Sequence, residues 1–380
     1  MKIVMAGITQ TPFENEFKIH YSVFKTFGAA TGFSDLGHEV YLVSRKAEEE
    51  RDGVIFYPYG KMDKAFFEDV DYFIFGQERG VEKVVARIPE LQNIIKKKKQ
   101  GKRVRTKLVV KTGRVGWLKD TQWGYKDGYK IFDFFFCQEP GFARAGAKEL
   151  FGDPDNKIFY SRMGVFDSVP SIAHPAPFVK KKYNLLYMGR MRHNPTRLPF
   201  IVKMMKKLGE DFHLNILPGT FSKPPQLLSG SKEKNHNKFG PEKEENFQWL
   251  VKYFSAAKNI TVHRVAPWGE HWNYLHHSDI GIDFSPSEKG KSIAGNAKLL
   301  EYMAAGLPSV TESSVGNSEL VKKNFGTIVD KVANLNDYCD AIHKVCKLKY
   351  NRDLISRTTI SENNWKIRAI NMLRNMEGKR

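Results

Sequence analysis

Lys298 and Glu301 lie three residues apart in the segment 285–308, Ser-Pro-Ser-Glu-Lys-Gly-Lys-Ser-Ile-Ala-Gly-Asn-Ala-Lys-Leu-Leu-Glu-Tyr-Met-Ala-Ala-Gly-Leu-Pro. An apolar run ends at Pro286 and a Gly- and Ser-rich stretch follows. A short helix then opens near Gly295 or Asn296 and stops at Gly306, with Pro308 two residues on, as helix C-terminal signals do. The spacing puts both side chains on one helix face. Free N–H groups at the helix start, around Gly295, Asn296 and Ala297, attract phosphate. Lys298 adds a cation nearby, and a carboxylate one turn further can accept hydrogen bonds from both hydroxyls of a ribose. Such a set suits a nucleotide. The same spacing is equally read as an ion pair on the surface of an ordinary helix.

Other residues carry less. Thr112-Gly113-Arg114 follows the apolar run 107–110. Ligands of open α/β sheets collect at the carboxyl ends of strands, so Gly113 and Arg114 are candidates to meet a sugar or a phosphate; the alternative is a turn with an exposed Arg. Asp153-Pro154-Asp155 brings two carboxylates close together, but Pro154 after Phe151-Gly152 reads as a turn. His276-His277 lacks further ligands at metal spacing, and His20 and His38 read as structural. No metal is expected.

Lys and Arg number 61 against 42 Asp and Glu, a net charge of +19. Such a surface favours phosphates, acidic membranes or nucleic acid without choosing among them. The run 96–107, Lys-Lys-Lys-Lys-Gln-Gly-Lys-Arg-Val-Arg-Thr-Lys, contains no acid and is the main argument for nucleic-acid binding. It lacks interleaved aromatics on which bases stack. Contact with an anionic membrane or acceptor, or a solvated helix end, are its other readings. The three cysteines, Cys137, Cys339 and Cys346, form no CxxC pattern, which is expected of a reduced, cytoplasmic protein without structural zinc. The start turns polar too soon for a signal peptide and reads as a strand. No run of about twenty apolar residues is present, so no transmembrane helix is expected.

Strand and helix signals alternate, the pattern of α/β folds with parallel sheets. Strands are expected at 3–5, 39–43, 71–75, 107–110, 132–137 and 157–160, with helices at about 22–36 and 81–99, the latter interrupted at Pro89. Three prolines in 169–177 mark a linker. A second series follows: strands at 184–188, 212–217, 260–262 and 280–284, and helices at 199–208 and about 298–305. Residues 219–245 read as a loop. The expected domains are 1–170 and 171–360, with a C-terminal helix of about 361–380 packing back on the first.

Residues 298–308, Lys-Leu-Leu-Glu-Tyr-Met-Ala-Ala-Gly-Leu-Pro, match the form K-x-x-E-[YA]-M-A-x-G-x-P throughout. The segment resembles the donor-binding signature of retaining glycosyltransferases of family 4, which have the GT-B fold. Gly189-Arg190 stands where these enzymes place a diphosphate-binding Arg, and Arg197 falls one residue beyond the spacing of their second cation. Leu36-Gly37-His38-Glu39-Val40, Ser318-Glu319-Leu320-Val321 and Gly326-Thr327-Ile328-Val329 fall in the family's order too. A first Glu, eight residues before the second, is Ile293 here, and Glu288 in a longer loop is its candidate substitute or a solvated loop carboxylate.

The resemblance implies two Rossmann-like domains facing across a cleft, and transfer of a hexose from a nucleotide-diphosphate sugar with retention. It places Arg190, Arg197 and Glu288 in the catalytic site. It places Val265, Gly295, Asn296, Ala297, Lys298, Leu299 and Glu301 with the two arginines around the donor, the base packing near residues 265–268. No cofactor is implied. GDP-mannose is favoured over UDP-hexoses as donor, with a glycan, glycoprotein or lipid-linked acceptor. Assembly as a homodimer is a further expectation. The Lys- and Phe-rich composition resembles members encoded by large algal viruses, which implies work on viral glycoproteins in the host cytoplasm. A nucleotide-sugar-binding pseudoenzyme and a nucleic-acid-binding protein are the alternatives.

Overall fold

A computed structural model of the chain describes residues 1–7, 21–44, 48–76, 81–112, 122, 124–137, 155–167, 175–191, 197–221, 244–264, 270–283, 297–322, 324–330 and 334–378. The chain divides into two compact units, Met1–Asp167 with Ser361–Arg380, and Ser168–Ile360.

The first unit is built on an eight-stranded sheet of β1 (Lys2–Ala6), β2 (Glu39–Ser44), β3 (Glu49–Arg51), β4 (Val54–Pro58), β5 (Val70–Phe75), β6 (Lys107–Thr112), β7 (Phe134–Cys137) and β8 (Ile158–Tyr160). The order is β3-β4-β2-β1-β5-β6-β7-β8, and every pair is parallel except β3 with β4. Helices cover both faces of such a sheet, so its strands read as unbroken apolar runs. Val4, Phe73, Phe75, Leu108 and Val110 face one core, and Ile3, Met5, Tyr72, Ile74 and Val109 the other, as a two-residue period requires.

The second face is closed by the helix Tyr21–Ser34 and the C-terminal helix Trp365–Met376. Gly28 and Gly32, four residues apart on the first of these, make room for Trp365. A Cβ on Gly28 would lie 2.1 Å from the indole Nε1, one on Gly32 2.3 Å from the Trp365 carbonyl oxygen, and one on Gly164 2.5 Å from the indole ring.

The second unit carries a six-stranded, all-parallel sheet of β9 (Tyr183–Met191), β10 (Phe212–Phe221), β11 (Ile260–Val262), β12 (Ile280–Asp283), β13 (Ser309–Glu312) and β14 (Gly326–Val329). Its order is β11-β10-β9-β12-β13-β14. Counting strands from β9, that is the 3-2-1-4-5-6 order of a doubly wound dinucleotide-binding sheet. One core joins the strand residues Leu185, Tyr187, Ile216 and Ile282 to Ile201 and Met205 of the helix Arg197–Leu208 and Tyr338 and Ile342 of the helix Leu335–Lys347. Cys339 is buried in this core and Cys346 packs at its edge, so the two share a buried face.

Several elements depart from the local sequence pattern. The stretch 81–99 is two helices, Val81–Val85 and Pro89–Lys99, with Pro89 at the first helical position, where its missing N–H costs nothing. Hairpin β3–β4 turns on Asp52-Gly53, both at positive φ (49° and 69°), the conformation that an Asp-Gly pair favours. A helix at Gly124–Ile131 shortens the 132–137 strand to β7, and helices at Glu244–Phe254 and His271–His277 fill stretches with no clear periodicity. Strand β10 runs on to Phe221, so 219–221 is not loop; 222–243 lies outside the described residues.

Candidate functional site

In a 3-2-1-4-5-6 sheet the strand order reverses between the first and fourth strands, here β9 and β12, and a crevice opens beyond their carboxyl ends. The ladder between them pairs Ile280 with Leu185 and Gly281 with Leu186. Beyond that, a side chain takes the ladder's place. The Tyr302 hydroxyl accepts from the Met188 N–H at 2.7 Å and donates to the Ile282 carbonyl at 3.3 Å. It bridges the strands where they part and satisfies two buried backbone groups. Gly281 permits this, since a Cβ there would lie 2.4 Å from the Tyr302 ring.

Tyr302 belongs to the helix Ala297–Ala304. Gly306 ends it at φ +71°, with the Leu307 N–H bonded to the Tyr302 carbonyl and the Gly306 N–H to the Met303 carbonyl. This pair of bonds is the glycine-closed C-terminus that the sequence signals.

Lys298 is neither solvated nor isolated. Its Nζ lies 3.0 Å from Asp283 Oδ1 at the end of β12 and 4.4 Å from the Tyr187 ring centroid on β9, and its side chain is 17% exposed. Gly189 lies against it: a Cβ there would sit 3.4 Å from Nζ. Asp283 is fully buried, and its Oδ2 accepts from the Thr311 hydroxyl at 3.1 Å. Thr311 Oγ1 accepts in turn from Asn317 Nδ2 at 2.9 Å. Glu301 is half-buried; burial pushes its carboxyl up to about 7, and the nearby Lys298 charge partly opposes this. The arrangement offers a cation and a carboxylate that ionises near neutrality, both beside the crevice.

Among the other expected residues, Arg190 is the penultimate residue of β9, at its carboxyl end, and Arg197 opens the next helix. Ala297 opens the helix that carries Lys298 and Glu301. The Leu299 side chain is fully buried. That leaves its backbone N–H, in the first helical turn, as its group for a ligand. Glu288, Val265, Gly295, Asn296, Gly113 and Arg114 lie outside the described residues. Asp283, Tyr187 and the bridging role of the Tyr302 hydroxyl are not foreseen in the sequence. One signal was present: a carboxylate closing the apolar run 280–284 must find a partner if the strand is buried.

The basic run proves to be less free than its composition suggests. Lys98 Nζ lies 2.6 Å from Asp133 Oδ2, with only 9% of the lysine side chain exposed, and that oxygen also accepts from the Leu108 N–H. Arg105 pairs with Asp71, Lys107 with Asp133 and Lys99 with Asp127. These pairs gather at the amino ends of β5, β6 and β7, away from the carboxyl edge where ligands of such a sheet collect. Lys96, Lys97, Lys102 and Arg103 are its exposed members outside these pairs. Asp155 pairs with Lys157 at 3.1 Å just before β8, again at an amino end. Among the described residues no group of three or more His, Cys, Asp or Glu could hold a metal, and no helix is long and apolar enough to cross a membrane.

No family model matches the chain, and no curated protein matches it. Solved structures do. Sucrose-phosphate synthase from Thermosynechococcus elongatus superposes with a TM-score of 0.66 at 13% identity, over 100% of this chain and 98% of that one. AviGT4, a glycosyltransferase involved in avilamycin A biosynthesis, gives 0.61 at 14% identity over 99% and 97%. HepE of Anabaena in complex with UDP-glucose gives 0.61 at 10% identity over 100% of both. At such identities the likeness concerns the fold, and with the two parallel-sheet α/β units it shows that this chain has the GT-B fold.

Proposed function

We propose that the chain is a glycosyltransferase that takes a hexose from a nucleoside-diphosphate sugar held at the carboxyl ends of β9 and β12. The observation that supports this most is the break in the ladder between β9 and β12 at the point where strand order reverses. The Tyr302 hydroxyl bridges the two strands there, and the same helix carries Lys298 and Glu301. Glu301 accepts the ribose hydroxyls. Arg190, Arg197, Lys298 and the N–H groups at the start of the helix meet the diphosphate and stabilise the charge that develops as the sugar leaves. Arg suits that role because it gives parallel hydrogen bonds to phosphate and keeps its charge at any working pH.

The finer reading is that of a retaining enzyme of family 4, in which the acceptor attacks from the face that the diphosphate leaves. Glu288, Gly113 and Arg114 are its candidates for contact with the sugar or acceptor. GDP-mannose is the donor that the resemblance to family 4 favours. A UDP-hexose is the second reading, supported by the neighbour whose structure was solved with UDP and UDP-glucose.

The test is release of nucleoside diphosphate from a panel of nucleotide sugars with mixed glycan acceptors, with and without chelator. Turnover that survives EDTA and drops about 10²–10³-fold in Arg190→Ala is expected. Loss of activity in EDTA, restored by Mn²⁺ or Mg²⁺, overturns the metal-independent mechanism. Tight binding without turnover of any sugar would identify a pseudoenzyme.

A further inference from the structure

Asp283 has a place that the donor reading does not require. It is the last residue of β12, fully buried, and each carboxylate oxygen has its own partner: Oδ1 the Lys298 ammonium at 3.0 Å, Oδ2 the Thr311 hydroxyl at 3.1 Å. Thr311 is fixed in turn by Asn317, whose Nδ2 also bonds the Glu312 carbonyl at 3.0 Å. The carboxylate is thus tied from β13 and from the helix Val315–Leu320. The ammonium that it holds is bounded by the Tyr187 ring and by Gly189, which has no side chain to cover it and precedes Arg190 at the strand end.

Stability alone does not call for this pair. Two charges taken out of water regain little from each other, and apolar groups of the same size often serve as well or better. The pair also stands at the switch point of the sheet, where the diphosphate would lie. A lone lysine there would attract the diphosphate of the donor and hold that of the product equally hard.

We propose that Asp283 is a positioning residue that balances the charge of Lys298 and so sets how tightly the site holds a nucleoside diphosphate. The inference rests on the donor reading above. Its chemistry fixes the sign. Asn in place of Asp keeps the shape and can still accept from Lys298, but leaves the ammonium uncompensated. The site becomes one charge more positive a few ångströms from the ligand. At that range, in a partly desolvated crevice, one charge exceeds the about 1.4 kcal/mol that a tenfold change in affinity requires.

The experiment is calorimetric titration of UDP and GDP into the wild type, Asp283→Asn, Lys298→Met and the double variant, each checked for folding by circular dichroism. Asp283→Asn is expected to bind at least about tenfold tighter than the wild type, Lys298→Met at least about tenfold weaker, and the double variant no tighter than the wild type. Equal or weaker binding by folded Asp283→Asn marks the residue as a brace and overturns the proposal. A double variant that keeps the tenfold gain overturns the action through Lys298. Asp283→Ser gives the same reading if the amide does not fit, and failure of both to fold also overturns the proposal. If the wild type binds neither UDP nor GDP, the donor reading falls and takes this inference with it; a wild type that binds while the variants disobey removes this inference alone.

Discussion

Lowering the pH from 8 to 6 is expected to weaken donor binding about tenfold, because only ionised Glu301 accepts hydrogen bonds on both oxygens. Its carboxyl is half-buried and titrates at about 7, burial raising it and Lys298 partly opposing. If the donor selects the ionised form, its apparent affinity follows the ionised fraction, roughly nine tenths at pH 8 and one tenth at pH 6. Calorimetry with GDP-mannose and UDP-glucose reads this cleanly, since a diphosphate esterified at both ends keeps its charge across the range. In Glu301→Gln the dependence should vanish, with binding at pH 8 at least about tenfold weaker than wild type, because charge-assisted bonds are lost.

A second sign follows from the same group. Its folded pKa is raised above the ordinary 4.5, so its contribution to stability is complete below 4.5 and lost as pH rises through about 7. Unliganded Glu301→Gln should therefore be more stable than wild type by about 1–3 kcal/mol at pH 8, and little changed at pH 4. A flat wild-type binding profile, or a slope that persists in Glu301→Gln, would remove Glu301 from the site.

Three further outcomes are expected. Tyr302→Phe leaves the Met188 N–H and the Ile282 carbonyl without their bridge; chemical denaturation should show a loss of about 1–3 kcal/mol. Lys98→Met leaves Asp133, which is only 21% exposed, with the Leu108 N–H and the longer contact to Lys107, and should lower the melting temperature, while Lys96→Met with Lys97→Met, on solvated positions, should not. His271 is buried, and desolvation lowers its pKa from 6.5 to about 4. Its contribution to stability is present above 6.5 and lost as pH falls through about 4, so His271→Gln should remove up to about 3 kcal/mol of the wild type's acid sensitivity in denaturation curves over that window.

The legible parts of the site were those written in neighbouring residues. Gly306 and Pro308 announce the end of the helix, and the three-residue step from Lys298 to Glu301 puts them on one face before any tertiary structure is known. The parallel strands were legible from unbroken apolar runs such as 71–75, because both faces of the sheet are covered. Partners fixed by strand order were not. Tyr187 and Gly189 meet Lys298 only because β9 lies beside β12, and no local pattern carries that adjacency. Lys98 looked like one lysine among four, yet its counter-ion, Asp133, is 35 residues away. The hairpin at Asp52-Gly53 was not foreseen, although its turn residues carried the signal. The helices Gly124–Ile131 and His271–His277 were not foreseen either, being short segments whose helical state depends on packing against the sheet.

Hydrogen–deuterium exchange with saturating GDP and with saturating UDP tests most directly whether a nucleotide-sugar donor sits at the switch point of the second unit. With at least one of the two nucleotides, slowed exchange is expected at the carboxyl ends of β9 and β12 and in the helix Ala297–Ala304, and Glu301→Gln should need at least about tenfold more nucleotide to reach the same protection. Protection confined to the first unit, or none with either nucleotide, would contradict the assignment.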